Sequence, residues 1–238
     1  MADLRDIWAY LSASPLLHLT LTLAAFLIGT LIYKKSGSNP LANPVFLAVA
    51  ILVALLLLTR TSYQDYFDGA QFVHFLLGPA TVALAVPLYR QFERIRRSAV
   101  AIAVSLITGS LTAILSALAI GYLLDGSRDA LASLAAKSVT APVAMGIAER
   151  LGGLPSLTAV LVIVTGIFGA MVGPLVLTLI GIRDPAARGL GLGTASHGIG
   201  TARAFQETEI AGAFSGLAMG LNALATAILL PLIWRLAT

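Results

Sequence analysis

The chain has 238 residues, 58% of them hydrophobic and only 11% charged, with a mean hydropathy of +0.92. Soluble domains carry about 25% charged residues, so a soluble fold could not cover its surface with this composition, whereas a protein solvated by lipid tails has no such need. The net charge of +4 lies in short loops between apolar blocks, which excludes the basic face of a nucleic-acid binder and matches the charge placement of a multi-pass membrane protein. There is no cysteine, so disulfides, thiol catalysis and cysteine metal sites are excluded.

A spanning helix needs about 20 residues, so the length accommodates about seven or eight membrane segments in one integral membrane domain, 1–238. The N-terminus lacks the positive region of a signal peptide, and the first apolar block runs into Lys34 and Lys35 without a cleavage site, so it is expected to stay attached as a helix. Strong apolar blocks cover about 15–33, 41–59, 98–124, 155–182 and 210–236.

Three weaker blocks, at about 66–92, 129–150 and 189–207, are interrupted. The first contains Gly78-Pro79 and Pro87, the second Lys137-Ser-Val-Thr-Ala-Pro142, the third a glycine-rich run from Gly189 to Thr201. A break frees backbone N–H and C=O groups, each costing several kcal/mol if it faces lipid. Such breaks are tolerated where protein or a watery cavity receives them, and transporters use them for binding. Taken singly, each break also reads as a proline kink or a surface loop.

A shift of 113 positions lays Leu77, Gly78, Thr81, Arg90 and Phe92 on Leu190, Gly191, Thr194, Arg203 and Phe205, and apolar blocks on apolar blocks. This fits two related halves, about 15–124 and 129–236, in an all-helical, transporter-like bundle. Positive charge places Lys34, Lys35, Arg90, Arg94, Arg96 and Arg97 on the cytoplasmic side, and Asp65, Asp68 and Asp125 outside. If 129–150 dips in and returns, Arg183, Arg188 and Arg235 are expected inside and the halves are inverted; if it crosses, the halves run parallel. The re-entrant version is the favoured one.

No enzyme is expected. Ser196 and His197 are adjacent and would point about 100° apart on a helix, so they cannot act as a nucleophile–base pair. The three histidines, His18, His74 and His197, have no partners at metal-ligand spacing, and Gly191 and Gly193 do not complete a dinucleotide fingerprint. His18 and His74 read as ordinary buried or interfacial residues.

The expected substrate-binding residues are Gly78, Pro79, Ala80 and Thr81 at the first break, Lys137, Ser138, Val139 and Thr140 at the second, and Ser196, His197, Gly200, Thr201 and Arg203 at the third. Hydroxyls, freed N–H groups and one or two cations around half-helices make a site for a small anion, among which physics alone does not choose. Each hydroxyl also reads as a helix cap or back-bonding group. Lys137 and Arg203 also read as cations that snorkel to an interface, with Glu207 placed to pair with Arg203.

The three runs Leu77–Tyr89, Lys137–Met145 and Gly189–Arg203 resemble the signature motifs of the LrgB/CidB family of antiholin-like bacterial membrane proteins. The resemblance extends from about Asn43-Pro44 to the end, with Gly198 standing where the family pattern has alanine. It implies a protein of the bacterial cytoplasmic membrane. The plastid relative moves glycolate and glycerate, other relatives are tied to pyruvate uptake, and others to lysis control beside a smaller LrgA/CidA protein, so the resemblance implies small 2-hydroxy or 2-oxo monocarboxylates of the glycolate, glycerate, pyruvate or lactate class as substrates. A carboxylate transporter is the expected function, and an antiholin-like partner the alternative. Expected partners are a small carboxylate anion, the lipid bilayer, an LrgA/CidA-like subunit and a second copy of the chain in a dimer. No cofactor is expected, and the coupling ion, proton or sodium, is left open.

Overall fold

The structure, a computed structural model, describes residues 15–237, and every regular element among these is a helix. The chain divides into two compact units, one ending at Ala83 and one starting at Leu84. In the first unit, α1 (Pro15–Lys35) packs on α2 (Pro44–Thr59) and α3 (Tyr63–Phe75), and α4 (Leu77–Ala83) follows. Helix α2 begins where it does because the Asn43 side chain accepts from the Val45 and Phe46 N–H groups, at 2.9 and 3.1 Å, and Pro44 needs no donor partner there. Gly29 lets α1 approach closely, since a Cβ there would stand 2.7 Å from the Pro44 carbonyl oxygen. His18 is buried edge-on against Tyr66.

The second unit runs through α5 (Ala85–Arg90), α6 (Phe92–Arg97), α7 (Ala99–Leu123), α8 (Arg128–Ala135), α9 (Ala141–Arg150), α10 (Pro155–Leu179), α11 (Pro185–Glu207) and α12 (Glu209–Ala237). Four stretches among the described residues, Leu16–Lys35, Ala99–Leu123, Pro155–Leu179 and Glu209–Leu236, are long and apolar enough to cross a membrane. The bent pair Tyr63–Val73 and Gly78–Arg90 makes a fifth if it counts as one span. The chain is thus a multi-pass membrane protein.

Helix α11 is a hairpin. Arg188 and Glu207 lie 19 positions apart, which would be about 28 Å on a straight helix at a rise of 1.5 Å per residue. They instead form a two-pronged ion pair at 2.8 and 3.0 Å. The fold-back occurs at His197, whose φ of 41° and ψ of −130° lie outside the helical region. Gly200 then meets the Leu192 backbone so closely that a Cβ would overlap it. Helices α8 and α9 make a second hairpin around residues 136–140: Ser133 Oγ accepts from the Leu154 N–H at 2.8 Å, bringing the chain after α9 back beside α8.

The two hairpins enter from opposite ends. Arg90 pairs with Glu209 at 3.0 Å and Arg94 with Asp184 at 2.8 Å, so the starts of α7, α11 and α12 and the end of α10 share one arginine-rich end. The α8–α9 hairpin hangs from the other end, between the finish of α7 and the start of α10. Both 129–150 and 189–207 therefore fold back on themselves, the arrangement favoured for the first, whereas for the second the sequence left crossing or return open.

That changes two expectations. Helix α12 starts at the arginine-rich end and continues unbroken for 29 residues, about 43 Å. Arg235 consequently lies at the opposite end from Arg183 and Arg188. Helices α7 and α12 also run in the same direction, so the pairing at a shift of 113 does not join inverted elements. That shift also lays the α8–α9 hairpin on α1, which is continuous.

A different correspondence is present. A shift of 56 carries Ala99–Leu123 onto Pro155–Leu179, two 25-residue helices that run in opposite directions, each followed by a hairpin. Their C-terminal caps agree bond for bond. Asp125 N–H donates to the Tyr122 carbonyl and Gly126 N–H to that of Gly121, at 3.1 and 2.9 Å. Gly181 N–H donates to the Thr178 carbonyl and Ile182 N–H to that of Leu177 at the same two lengths. The left-handed cap residue is Asp125 in one and Gly181 in the other, at φ 54° and 79°.

This topology predicts the outcome of side-specific labelling. In the cysteine-free chain, Arg183→Cys and Arg235→Cys should react with an impermeant maleimide from opposite faces, and Asp125→Cys from the same face as Arg235→Cys. Labelling of 183 and 235 from one face would contradict the hairpin.

Candidate functional site

Asn222 sits midway along α12 and is 1% exposed. Its amide nitrogen donates to the Ser138 carbonyl at the tip of the α8–α9 hairpin and to the Thr194 carbonyl beside the tip of α11, both at 3.0 Å. Its oxygen accepts a short bond from the Ser110 hydroxyl at the middle of α7. Carbonyls at the end of a broken helix lack their usual partners, and hydrocarbon supplies none. One carboxamide thus serves both hairpins, and it joins their tips at the middle of the long helices. Residues 138 and 194 correspond under the 56-residue shift.

Glycine lets the elements meet here. A Cβ on Gly189 or Gly193 would overlap the backbone of Ala211 or Ser215 on α12. On α10, a Cβ on Gly169 would overlap Ser196 Oγ, and one on Gly166 would stand 2.6 Å from the His197 ring. The tip of α11 is therefore seated in a notch of α10. His197 Nε2 lies 3.0 Å from the Val162 carbonyl, and because a carbonyl only accepts, that nitrogen carries the proton. Thr201 donates to the His197 carbonyl at 2.9 Å and meets Ser215 Oγ at 3.0 Å.

A cavity of about 880 Å³ adjoins the junction. The tips contribute Lys137, Ser138, Thr194 and Ser196 to its wall, α7 contributes Thr108, Gly109 and Thr112, and α10 contributes Val164, Thr165 and Phe168. The three α7 positions map onto the three α10 positions under the same shift. Lys137 is half-buried, its ammonium 3.4 Å from Ser138 Oγ, and it forms no ion pair among the described residues. Ser196 Oγ is buried with no hydrogen-bond partner there. No group of three His, Asp or Glu side chains among the described residues is arranged for a metal ion.

Of the expected site residues, the structure brings Lys137, Ser138 and Ser196 together around this cavity. Val139 turns into the core beside Ile114 and Val162, and Thr140 starts α9 without capping it through its side chain. His197, Gly200 and Thr201 hold the α11 turn and do not line the cavity. Arg203 donates to Gln206 at 3.1 Å, away from the cavity wall, and Glu207 is engaged by Arg188 rather than by Arg203. Gly78, Pro79, Ala80 and Thr81 lie on α4 in the first unit; the side chains of Thr81 and His74 are outside those described.

Asn222 and Arg188 were missed by sequence reasoning. A lone carboxamide inside a long apolar block was the available signal for the first, since a polar group at that depth needs partners. Arg188 gives no such signal. It closes the base of α11 by donating to Glu207, to the Ile182 carbonyl at 3.0 Å and to Thr178 Oγ1 at 3.2 Å.

The sequence profile of the LrgB-like family matches residues 22–236. The chain is 37% identical to YwbG of Bacillus subtilis, over 89% of this chain and 93% of that protein. It is 32% identical to the holin-like protein CidB of Staphylococcus epidermidis and 32% identical to the antiholin-like protein LrgB of Bacillus subtilis, each over 94% of this chain and 96% of the relative. No solved structure matches it.

Replacing Asn222 by leucine keeps its branched shape but leaves two carbonyls without their donor and the Ser110 hydroxyl without its acceptor. Hydrogen bonds between membrane helices contribute about 0.6–2 kcal/mol each, so Asn222→Leu should destabilise the fold by about 1–3 kcal/mol. Thermal unfolding in detergent should show a lowered midpoint; an unchanged one would mean that the tips are held by other contacts.

Proposed function

We propose that this chain, which belongs to the LrgB-like family, is an antiholin-like protein of the bacterial cytoplasmic membrane that works with a smaller LrgA/CidA-like membrane protein in the control of lysis. The observation that carries this reading is the similarity, along nearly the whole chain, to relatives named holin-like CidB and antiholin-like LrgB. Counting the four long helices, α2, the α3–α5 run and the two hairpins gives eight membrane segments, with the arginine-rich end in the cytoplasm.

A second reading is favoured by a specific feature, the cavity at the hairpin tips. In it, the protein carries small monocarboxylates of the glycolate, glycerate, pyruvate or lactate class, and 99–150 and 155–207 act as two related, inverted units. Support comes from the half-buried ammonium of Lys137 beside the hydroxyl of Ser138, in the wall of a cavity that Ser196 also lines. The N-terminal ends of α9 and of the second arm of α11 also face the tips, and their dipoles favour negative charge. Arg203, away from the cavity, has no part in this reading.

The two readings separate in proteoliposomes containing the chain alone and supplied with radiolabelled glycolate, pyruvate and lactate. Transport predicts saturable uptake. A hydrogen bond to a charged group contributes about 1.5–3 kcal/mol, so Lys137→Gln should raise the half-saturation concentration roughly ten- to a hundredfold, and Arg203→Lys should leave it unchanged. No uptake of any of the three, together with recovery of an LrgA/CidA-like protein on the tagged chain, would leave the antiholin-like reading alone.

A further inference from the structure

We infer that the cavity takes a monocarboxylate with a hydrocarbon tail, its carboxylate on the Lys137 ammonium and its tail running toward the arginine-rich end. The inference narrows the ligand of the transport reading and rests on that reading. The cavity is a groove between α7 and α10, which scarcely meet, and its floor is the first arm of α11, which packs on both. On the α10 side that arm is seated on Gly166, Gly169 and Gly173, where a Cβ would crowd His197, Ser196 and Leu192. On the α7 side a Cβ on Gly109 would stand 3.0 Å from Thr194 Cγ2.

The two ends of the groove differ in chemistry. Lys137 carries the only charge in the wall, one residue from the carbonyl that Asn222 bonds at mid-depth, and it forms no ion pair among the described residues. A cation at that depth calls for an anionic partner. Away from Lys137 the wall turns apolar, with Phe168 and Leu177 on α10 and Leu190 and Ala187 on α11. The hydroxyls between them change this little. Thr108, Thr112 and Thr194 each donate to the carbonyl four residues back on their own helix, at 2.8, 2.7 and 2.8 Å, and so offer a ligand no donor.

The size of the groove points the same way. From Ser196 to Ala187 its floor runs for about 14 Å at 1.5 Å per residue. Its volume of about 880 Å³ corresponds to roughly 30 water molecules at about 30 Å³ each. A three-carbon acid on Lys137 leaves most of the apolar wall uncovered, and Phe168 and Ala187 are exposed in it. A longer chain covers that wall, and each methylene taken out of water strengthens binding about fourfold. The single charge sets the other limit. A five-carbon dicarboxylate would carry its second charge into the apolar part of the groove, short of the arginines and with no cation to meet it.

The full chain in proteoliposomes tests this by competition against radiolabelled pyruvate. The competitors are unlabelled pyruvate, 2-oxobutanoate, 2-oxopentanoate, 2-oxohexanoate and the dicarboxylate 2-oxoglutarate; the same acids are added to the chain in nanodiscs and the thermal midpoint is read. The half-inhibitory concentration should fall at least roughly tenfold from pyruvate to 2-oxohexanoate. It should stand roughly tenfold or more higher for 2-oxoglutarate than for 2-oxopentanoate. Ala187→Phe, which fills the far end, should remove most of the gain of 2-oxohexanoate over pyruvate, with Leu190→Phe in its place should that variant fail to fold. Lys137→Gln should weaken the whole series together. A series that stays flat, as when a lipid tail already fills the groove, would overturn the inference. So would 2-oxoglutarate that matches 2-oxopentanoate, or a gain along the series that persists in all of these variants, which describes partition into the bilayer. Pyruvate uptake with a flat series removes the inference and leaves the transport reading standing. Stabilisation in nanodiscs that rises along the series without uptake keeps the ligand and removes transport, and no uptake with no stabilisation by any acid removes both.

Discussion

Backbone that leaves a helix inside hydrocarbon must find its hydrogen bonds within the protein, since each group left facing lipid costs several kcal/mol. This chain breaks twice at that depth within one unit, around residues 136–140 and at His197. The Asn222 carboxamide answers both breaks, donating to one carbonyl from each tip while accepting from Ser110. Removing it leaves both tips short of a donor at once, so neither hairpin can be treated as independent of the other.

Much of the surrounding sequence follows from that junction. The tips can each reach Asn222 at 3.0 Å only if the helices around them come close, and Gly166, Gly169, Gly189 and Gly193 stand where a Cβ would collide. The bases of the arms need the opposite chemistry. At the wet, arginine-rich end, Arg188 clamps Glu207, and exposed pairs tie Arg90 to Glu209 and Arg94 to Asp184. Exposed pairs contribute little to stability, and their use here is to fix which ends lie together. The left-handed turn at His197, a conformation that costs a non-glycine residue about 1–3 kcal/mol, is held by the Val162 and Thr201 bonds on either side of it.

Local features were legible in the sequence and pairwise ones were not. Low charge and long apolar blocks identified the membrane protein, and proline and glycine marked both breaks, because each acts on its own backbone. Lys137, Ser138 and Ser196 were singled out because they are polar at membrane depth, and they do line the cavity. Arg203 carried the same signal, and packing directs it elsewhere. The fold-back of α11 depends on Arg188 meeting Glu207, a contact between positions 19 apart that no local pattern encodes. The internal correspondence was sought at a shift of 113, where apolar residues match apolar residues by composition alone. The one at 56 is carried by helix bounds and cap geometry, which several different sequences satisfy; Asp125 and Gly181 fill the same left-handed position.

The central claim is that two hairpins entering from opposite ends meet at mid-depth. Spin labels on Lys137→Cys and Ala195→Cys, in the otherwise cysteine-free chain reconstituted in lipid, measure it directly by pulsed electron resonance. Both positions line the same cavity, and a separation well below the roughly 30 Å thickness of the hydrocarbon core is the expected result. A separation equal to that thickness or greater would put the two tips at opposite membrane faces and contradict the account.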